Sequence, residues 1–504
     1  MAIMTARVLS ATALGFDGHM IDIECDSKKG LPGISIVGLG NKSIDEAKER
    51  IRAAISNSHF DFPASKITIN LAPANLPKDG SHFDVPMAIA VLTVTGQIKQ
   101  ASVNNIAFAG ELSLTGDLRP VRGIINIVET ARKHGIKTII VPKANAAQAA
   151  LIKDMSVIGA QTLADIYLHL IREKPITPTP GPEKPTAPQY ATDLGDIHGQ
   201  EQAKRALIIA ASGGHNILFD GPPGAGKTML AKALVSILPS PTYEEQIAIT
   251  KLHSLVGEET EDIITELPFR SPHHTASQIS LIGGGAKPMP GEVSLAHCGV
   301  LFLDELPEYP RNSLEALRQP LEDREVNVAR AASRVRYPAK FMLVATRNPC
   351  PCGYYGDPDH TCSCSLNQIV GYEKRISGPL LDRIDMVVSV ARVNEKHLLA
   401  HSSAAESPGI RNQVIRARER QYERNHGQTN AELSSKNIAV ATHLSPDGVT
   451  LLNMASERMK LSARSYFKVI KVARTIADIA GSPDILAEHM AEALQYRQKV
   501  SEIH

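Results

Sequence analysis

A glycine-rich segment with a lysine and a threonine at its end, GPPGAGKT, occupies Gly221–Thr228. It fits the pattern G-x-x-x-x-G-K-[ST] and lies between a short apolar run and a helix-like segment, as that pattern requires. Backbone N–H groups can surround phosphate oxygens because three positions are glycine, namely Gly221, Gly224 and Gly226. Lys227 is expected to reach the β- and γ-phosphates, and Thr228 to bind Mg²⁺. The segment predicts a site for ATP with Mg²⁺.

Two carboxylates and an amide follow apolar runs further along the chain. Asp304 and Glu305 come directly after Val300–Leu303, and Asn348 follows Phe341–Ala345. Because open α/β sheets bind ligands at the carboxyl ends of their strands, these side chains are expected near the phosphates. Asp304 would hold the water shell of Mg²⁺, Glu305 would polarise the attacking water, and Asn348 would orient it. The alternative is that the acids cap the next turn and that Asn348 only ends its strand.

Four of the six cysteines are clustered in the pattern C-x-C-x9-C-x-C, formed by Cys350, Cys352, Cys362 and Cys364. Four thiolates can complete a tetrahedral Zn²⁺ site, although the C-x-C spacing is tighter than the usual C-x2-C. A metal here would fasten a loop, so its role would be structural. His360 is a spare ligand. The alternative is four reduced thiols.

These residues need a parallel sheet to position them. Strands are predicted from four apolar runs, at Asn216–Phe219, Val300–Leu303, Phe341–Ala345 and Met386–Val390. Helix-like segments such as Thr228–Leu238 separate them, which is typical of crossover connections in a parallel sheet. From about Asn394 onward the pattern is helical, with predicted helices at Ile410–Asn425, Ser445–Met459, Arg464–Ala480 and Pro483–Tyr496.

The part of the chain before residue 174 also alternates between strand and helix patterns, which indicates an α/β or α+β domain. Strands are predicted at Ile34–Val37, Lys66–Leu71, Ile106–Ala109 and Thr138–Val141, and helices at Ile44–Ser56, Val85–Val94 and Gly123–His134. A proline-rich stretch then suggests a stiff linker. The predicted boundaries are 1–173 for the first domain, 174–190 for the linker, 191–393 for the phosphate-binding core and 394–504 for a helical end domain.

Composition limits the class of protein. The 504 residues carry a net charge of +1, so any nucleic-acid site must be a local basic patch. No apolar run reaches the roughly 18 residues of a membrane span, and we expect no membrane partner. Six cysteines form no disulfide framework, which favours a cytoplasmic location.

Taken together, these motifs resemble those of AAA+ ATPases, with Gly199-Gln200 similar to the segment that contacts the adenine side. The chain resembles more closely the magnesium-chelatase-like ComM/YifB family, over nearly its whole length. The resemblance rests on segments Pro268–Ser277, Pro290–His297, Asn348–Gly353 and Ser377–Arg383. It implies an AAA+ P-loop parallel sheet with a helical lid, preceded by an α+β domain that is similar to the Lon protease domain. His82 and Ile125 stand where the Lon serine and lysine would be, so no peptidase activity is expected.

The resemblance also implies a ring, usually a homo-hexamer. Asn348 would be sensor 1, Arg464 the sensor-2 arginine, and Arg383 the arginine finger that reaches the neighbour's γ-phosphate, with Arg375 as a nearby alternative finger. Taken alone, such arginines are more often surface ion pairs. The family's ComM members are associated with natural transformation as helicases that drive branch migration, so single-stranded or branched DNA and recombination proteins are the implied partners.

Basic residues in two segments are candidates for DNA contact. A hairpin is predicted over Glu325–Lys340, with Arg330, Arg334 and Arg336, and an insertion over His253–Lys287, with Arg270 and Lys287. Arginines on a hairpin suit phosphate contacts without base readout. The alternative is a solvated edge hairpin protected by charge. Two other functions stay open at this point: a chelatase-type subunit that remodels a protein partner, and an ATP-dependent protease.

Overall fold

The computed structural model describes residues 5–38, 42–76, 78, 80–181, 190, 192–258, 263–285, 288–330, 333–392 and 405–497. Contacts divide the chain into two units. The first unit holds Met1–Thr186, Tyr243–Thr265 and Asn327–Tyr337, and the second holds Ala187–Thr242, Glu266–Val326 and Pro338–His504. Residues 182–189 of the predicted linker and Lys287 lie outside the described residues. The domain boundaries given above stay predictions.

A mixed sheet organises the first unit. Along the sheet its strands follow the order β3-β4-β2-β1-β5-β8-β9, with bounds β1 Thr5–Leu14, β2 Asp17–Lys28, β3 Gly33–Val37, β4 Lys66–Ala72, β5 Ile106–Phe108, β8 Thr138–Pro142 and β9 Ser156–Ala160. The short strands β6 Glu111–Leu112 and β7 Leu118–Arg119 pair with each other. The helices are α1 Lys42–Asn57, α2 Asp84–Val94, α3 Gln100–Val103, α4 Ile124–Lys133, α5 Lys143–Ala149 and α6 Leu163–Leu170. Every residue of α2 is buried, which makes it the centre of this unit's core.

The hairpin formed by β1 and β2 is missing from the sequence predictions. The two strands pair antiparallel along their whole length, from Thr5 opposite Asp26 to Leu14 opposite Asp17. Several inward positions of β1 are small or polar, including the buried Ser10 and Thr12. The alternation of apolar and polar residues that marks a half-buried strand is therefore weak in this segment.

The helix α9, Tyr243–Val256, belongs by its contacts to the first unit. Its Lys251 side chain is 3% exposed and forms an ion pair with Glu129 of α4. The Lys251 ammonium also lies 3.9 Å from the centre of the Phe16 ring. A buried cation needs such partners, because leaving water without them is costly. A segment inserted after the phosphate-binding helix is thus part of the N-terminal core.

The four strands predicted for the second unit form a parallel sheet, as expected, together with a fifth strand, β11, that was not predicted. Their order is β11-β14-β17-β10-β18, with bounds β11 Phe269–Arg270, β14 Val300–Leu303, β17 Met342–Arg347, β10 Ile217–Asp220 and β18 Met386–Ser389. The strand that leads into the glycine-rich loop, β10, lies between β17 and β18. The carboxyl ends of β10, β14 and β17 therefore meet at one edge.

Two antiparallel ribbons lie outside this sheet. One pairs β12 Gly283–Gly284 with β13 Met289–Pro290. The other, the basic hairpin, consists of β15 Glu325–Arg330 and β16 Ser333–Pro338, which confirms the predicted hairpin. Its outer part, Asn327–Tyr337, belongs to the first unit.

The remaining helices belong to the second unit. Up to residue 392 they are α7 Glu201–Gly213, α8 Lys227–Ile237, α10 Gln278–Ile282, α11 Glu292–Leu295, α12 Arg311–Ala316, α13 Arg318–Asp323, α14 Leu366–Glu373 and α15 Gly378–Leu381. The end of the chain is helical, as predicted, with α16 Ser407–Arg424, α17 Ser435–Ala441, α18 Pro446–Met459, α19 Ala463–Ala480 and α20 Ala487–Gln495. None of the helices in the described ranges is long and apolar enough to cross a membrane.

Candidate nucleotide site and cysteine cluster

The glycine-rich loop connects β10 to α8, and its glycines meet real steric demands. A Cβ on Gly221 would lie 2.1 Å from the carbonyl oxygen of Val390, so only glycine fits there. Gly224 and Gly226 have φ angles of 78° and 82°, in the left-handed region that favours glycine. Gly226 is the N-cap of α8, so the free N–H groups of the helix point toward the loop.

Lys227 opens α8, and its ammonium lies within the loop. It donates to the carbonyl oxygens of Gly221 and Pro222, and to Oδ1 of Asn348 at 2.9 Å. Burial lowers the pKa of Lys227, while nearby carboxylates, led by Asp220, oppose that shift. The predicted phosphate-binding lysine and the predicted sensor asparagine are therefore in direct contact.

The predicted magnesium ligands also lie together. The hydroxyl of Thr228 donates to Oδ2 of Asp304 at 3.5 Å, across the carboxyl ends of β10 and β14. A hydroxyl and a carboxylate are oxygen donors of the kind that Mg²⁺ prefers, so the pair fits that cation. Glu305, next in the chain, has a φ of 51°, a left-handed backbone conformation that is uncommon for residues other than glycine.

Thr346, which was not predicted as a site residue, supports both acids. The Thr346 hydroxyl donates to Oδ1 of Asp304 at 2.5 Å and accepts from the backbone N–H of Glu305 at 2.9 Å. Thr346 is fully buried. A single hydroxyl near the end of the apolar strand β17 was the available signal. Parallel pairing of β14 with β17, which places Leu303 beside Ala345, puts that hydroxyl beside Asp304.

The segment that resembles the adenine-side contact lies against the same loop. Gln200 has a φ of 59°, and its side-chain amide donates to the carbonyl oxygens of Ala391 at 2.5 Å and Ala225 at 3.4 Å. It therefore joins the chain before α7 to the glycine-rich loop and to the end of β18.

Arg383 and Arg464 meet at one carboxylate, that of Glu322. Arg383 Nη2 lies 2.7 Å from Oε1 of Glu322, and Arg464 pairs with the same oxygen. Burial acts to raise the pKa of Glu322, but the two guanidiniums hold it below its usual value. Within the described residues, neither guanidinium forms a hydrogen bond to a residue of the glycine-rich loop. Arg375, the alternative finger, pairs instead with Glu308 at 2.8 Å.

The four cysteines predicted as metal ligands converge. Their sulfur atoms all lie within 4.8 Å of one another. Three of the separations are 3.3 Å for Cys350–Cys352, 3.5 Å for Cys352–Cys362 and 3.7 Å for Cys350–Cys362. These are too long for disulfides, whose sulfurs lie about 2.05 Å apart. Backbone N–H groups, foremost that of Tyr354, lower the pKa of Cys352 to about 5. The chemistry of the cluster fits a thiophilic cation.

The candidate DNA-contact residues differ in their surroundings. Arg270 forms a two-point ion pair with Glu292, at 2.7 and 3.0 Å, which neutralises its charge. Arg336 is exposed on β16. Arg330 and Arg334 belong to the basic hairpin, but their side chains lie outside what the structure describes. The whole set stays a prediction.

His82 and Ile125, which were predicted to replace the Lon serine and lysine, lie in the first unit. Ile125 is fully buried in α4, within an apolar cluster. His82 is buried in a short 3₁₀ turn, and its neighbour Ser81 donates to Glu111. That His82 and Ile125 replace the Lon serine and lysine stays a prediction.

Comparisons with known proteins agree with this architecture. The family model described as magnesium chelatase, subunit ChlI, matches residues 193–398. Two further models match: subunit ChlI of Mg-chelatase at residues 23–145, and the ChlI C-terminal region at residues 404–497. Competence protein ComM of Haemophilus influenzae is 43% identical over 502 residues, which cover 98% of each chain. YifB of Salmonella typhimurium is 42% identical over 494 residues, covering 98% of this chain and 97% of the relative.

Lon protease of Trichlorobacter lovleyi is 25% identical over 193 residues, or 36% of this chain and 23% of the protease. A partial likeness to Lon at the N-terminus is thereby confirmed. The fold and the site define a magnesium-chelatase-like AAA+ ATPase. The chain belongs, within that class, to the ComM/YifB family. Membership implies ATPase activity, with ATP and Mg²⁺ as cofactors.

Proposed function

We propose that this protein is a ring-forming motor that couples ATP hydrolysis to movement along DNA, in the cytoplasm. Its task would be branch migration of recombination intermediates during natural transformation. The observation that carries the proposal is the meeting of Lys227, Asn348, Thr228 and Asp304 at one sheet edge. This site occurs in a chain that is 43% identical, over nearly its full length, to a competence protein.

The chain's own residues would prepare the hydrolysis step. Lys227 would exchange its contact with Asn348 for the β- and γ-phosphates, which frees the Asn348 amide to orient water. Glu305 would polarise that water and accept its proton. Thr228 and Asp304 would hold Mg²⁺, which neutralises phosphate charge when bound. Zn²⁺ at the cysteine cluster is the third cofactor of this proposal.

A homo-hexameric ring explains why Arg383 and Arg464 lie together. The side chains of Arg464 and Glu322 are 48% and 42% exposed, so a neighbouring subunit has access to this carboxylate. A γ-phosphate presented by that neighbour would compete with Glu322 for both guanidiniums. Hydrolysis would then depend on assembly, because an arginine supplied by a second subunit completes the site.

DNA contact is assigned to the basic hairpin, chiefly to Arg330, Arg334 and Arg336. Such contacts with phosphate hold DNA without reading its sequence. Arg270 and Lys287 are secondary candidates, and the ion pair of Arg270 with Glu292 makes it the weaker of the two. Recombination proteins that deliver or receive branched DNA are the expected partners.

The test is ATP turnover with no DNA, single-stranded DNA, duplex DNA and four-way junctions, with Lys227→Ala as the blank. We expect stimulation by DNA, strongest on single strands or junctions. Arg330→Ala and Arg334→Ala should weaken DNA binding and reduce the slope of log affinity against log salt by about 1 for each phosphate that is no longer neutralised. Arg7→Ala is a matched control, since Arg7 lies on a strand, is 65% exposed and pairs with Asp22.

The second candidate is a chelatase-type ATPase that remodels a protein partner. Its support is that magnesium chelatase subunit models match most of the chain. ATP turnover that ignores all forms of DNA at low salt, in assembled rings, would favour this candidate. Unchanged DNA binding by Arg330→Ala and Arg334→Ala would overturn the assignment of the hairpin.

A further inference from the structure

The loop at residues 348–365 connects the sensor asparagine to α14 and has little to hold it in place. It contains only turns and bends between the end of β17 and the start of α14. Cys350 is its buried apolar side chain, while most of the other side chains are half-buried or exposed. Long loops without regular structure in compact domains need a specific constraint. The cysteines are placed to supply it.

The sulfur positions match a tetrathiolate site. Zinc–sulfur bonds of about 2.3 Å in a tetrahedron place sulfurs about 3.8 Å apart. The sulfurs of Cys350, Cys352 and Cys362 lie 3.3 to 3.7 Å apart, and all four sulfurs lie within 4.8 Å of one another. The backbone N–H of Cys364 points at the sulfur of Cys362 at 3.4 Å. N–H donation of this kind is the outer-shell support that metal-bound ligands receive.

The same loop packs on the glycine-rich loop. A Cβ on Gly353 would lie 2.6 Å from Cδ of Pro223, so the backbone at Gly353 packs closely on the Pro223 ring. Arg392 joins them a second time, because it donates to the Pro223 carbonyl at 3.4 Å and contacts Nδ1 of His360 at 3.0 Å. The Arg392 guanidinium also lies 5.4 Å from the centre of the Tyr354 ring.

A cavity of about 380 Å³ lies between the two loops. One wall is Asp220, Gly221 and Pro222, and the other includes Pro349 and Tyr355. Asn348, which contacts Lys227, comes two residues before the first cysteine. The position of the cysteine loop therefore fixes both the cavity wall and the partner of the phosphate-binding lysine.

We propose that one Zn²⁺ bound by Cys350, Cys352, Cys362 and Cys364 holds this loop against the glycine-rich loop, so that metal occupancy controls ATP binding. The zinc content tests the metal site by itself, whether or not the protein is a DNA motor. The control of ATP binding rests on the proposed function, because it requires the nucleotide site to bind ATP. Removing the metal would release the loop, widen the cavity and leave Lys227 and Asn348 free to separate.

The experiment measures zinc in the full chain purified without a metal-binding tag, and then the affinity for a fluorescent ATP analogue. We expect close to one zinc per chain, released when a mercurial reagent titrates the thiols. We also expect Co²⁺ to replace it with the absorption of tetrahedral thiolate cobalt. Metal-free protein should bind the analogue roughly tenfold more weakly, or about 1.4 kcal/mol, and Zn²⁺ but not Mg²⁺ should restore the affinity.

The variants Cys352→Ser and Cys362→Ser should lose the zinc. Cys298→Ser, which changes a half-buried cysteine outside the cluster, should keep it. Less than about one fifth of a zinc per chain, together with no thiolate–cobalt absorption, would overturn the metal site. Full zinc with unchanged affinity after its removal would overturn the control of ATP binding. If the zinc-loaded protein bound no ATP analogue, the proposed function and the control would both fail, while the metal content would still decide the site.

Discussion

Arg383 and Arg464 are joined through a single oxygen atom, Oε1 of Glu322. Arg383 is held more firmly, since its side chain is 9% exposed and also donates to the carbonyl oxygens of Arg318 and Pro379. The pair of Arg464 with Glu322 is largely exposed, at 48% and 42%, and such pairs contribute little to stability. Under the proposed function, Glu322 would hold both guanidiniums where a neighbour's γ-phosphate can replace it.

Rings that contain two kinds of variant subunit test whether Arg383 acts on the nucleotide of the neighbouring subunit. Arg383→Ala and Lys227→Ala should each reduce ATP turnover at least ~10³-fold, because one removes the finger and the other the phosphate contact. In a random equal mixture about a quarter of the sites should combine an intact lysine with a neighbour's intact arginine, and turnover should return to that extent.

Failure of the mixture to regain activity, in rings shown to exchange subunits, would contradict a finger that acts between subunits. Arg375→Ala is the comparison, since Arg375 pairs with Glu308 instead of Glu322. Loss of turnover in Arg375→Ala with normal turnover in Arg383→Ala would move the finger to Arg375.

Thr346→Val should weaken the site without changing its shape. Valine fills the same volume but removes the hydroxyl that bridges Asp304 and the N–H of Glu305. We expect a fall in kcat of about tenfold or more, since preorganised hydrogen bonds in a site of this type are worth at least that much. Thr346→Ser keeps the hydroxyl and should retain most of the activity. Equal activity in both variants would show that the bridge has no catalytic role.

Lys251→Met should loosen α9 from the N-terminal core. The ammonium is buried between Glu129 and the Phe16 ring, and removing one partner of a buried ion pair costs about 2 kcal/mol or more. Hydrogen exchange followed by mass spectrometry should then show Tyr243–Val256 exchanging about 30-fold faster. Lys133→Met is the matched control, because Lys133 pairs with the same carboxylate but is 56% exposed. Equal exchange in the two variants would contradict this account.

His297 makes the second unit sensitive to acid. Its Nδ1 accepts the backbone N–H of Lys340 at 3.1 Å, and burial, helped by the Lys340 charge, lowers the pKa of His297 to about 4. Between the unfolded value of 6.5 and this pKa, the unfolded chain binds more protons, so stability falls as the pH falls through that range. From pH 7 to pH 5 the loss attributable to His297 should be of the order of 1–2 kcal/mol.

Urea unfolding followed by circular dichroism at both pH values measures this loss. His297→Asn places a side-chain oxygen where Nδ1 accepts, but it does not titrate, so the variant should lose less stability than the natural chain. An identical pH dependence in the two proteins would show that other groups dominate.

Residue types and spacing were enough to predict the candidate nucleotide site and the cysteine cluster of the second unit. GPPGAGKT, the acids after Val300–Leu303, the asparagine after β17 and the four cysteines were identified from residue types and spacing. The parallel order of β10, β14 and β17 brings the glycine-rich loop, the acids and the asparagine to one sheet edge, whereas the cysteines converge within a single loop. Four of the five helices at the chain end were predicted, with ends within four residues of those observed, while the short helix α17, Ser435–Ala441, was missed.

Residues that are distant in the chain but share one partner could not be paired before the fold was known. No local pattern joins Glu322 to both Arg383 and Arg464, or places Thr346 between Asp304 and Glu305. The same is true of α9 and the outer hairpin, which the contacts assign to the N-terminal unit, and of β1, whose small and polar inward residues hide its pairing with β2. Except for the β1–β2 hairpin, which is local, each depends on contacts between residues far apart in the chain, and such contacts leave no periodic trace in the sequence because they are selected by packing in three dimensions.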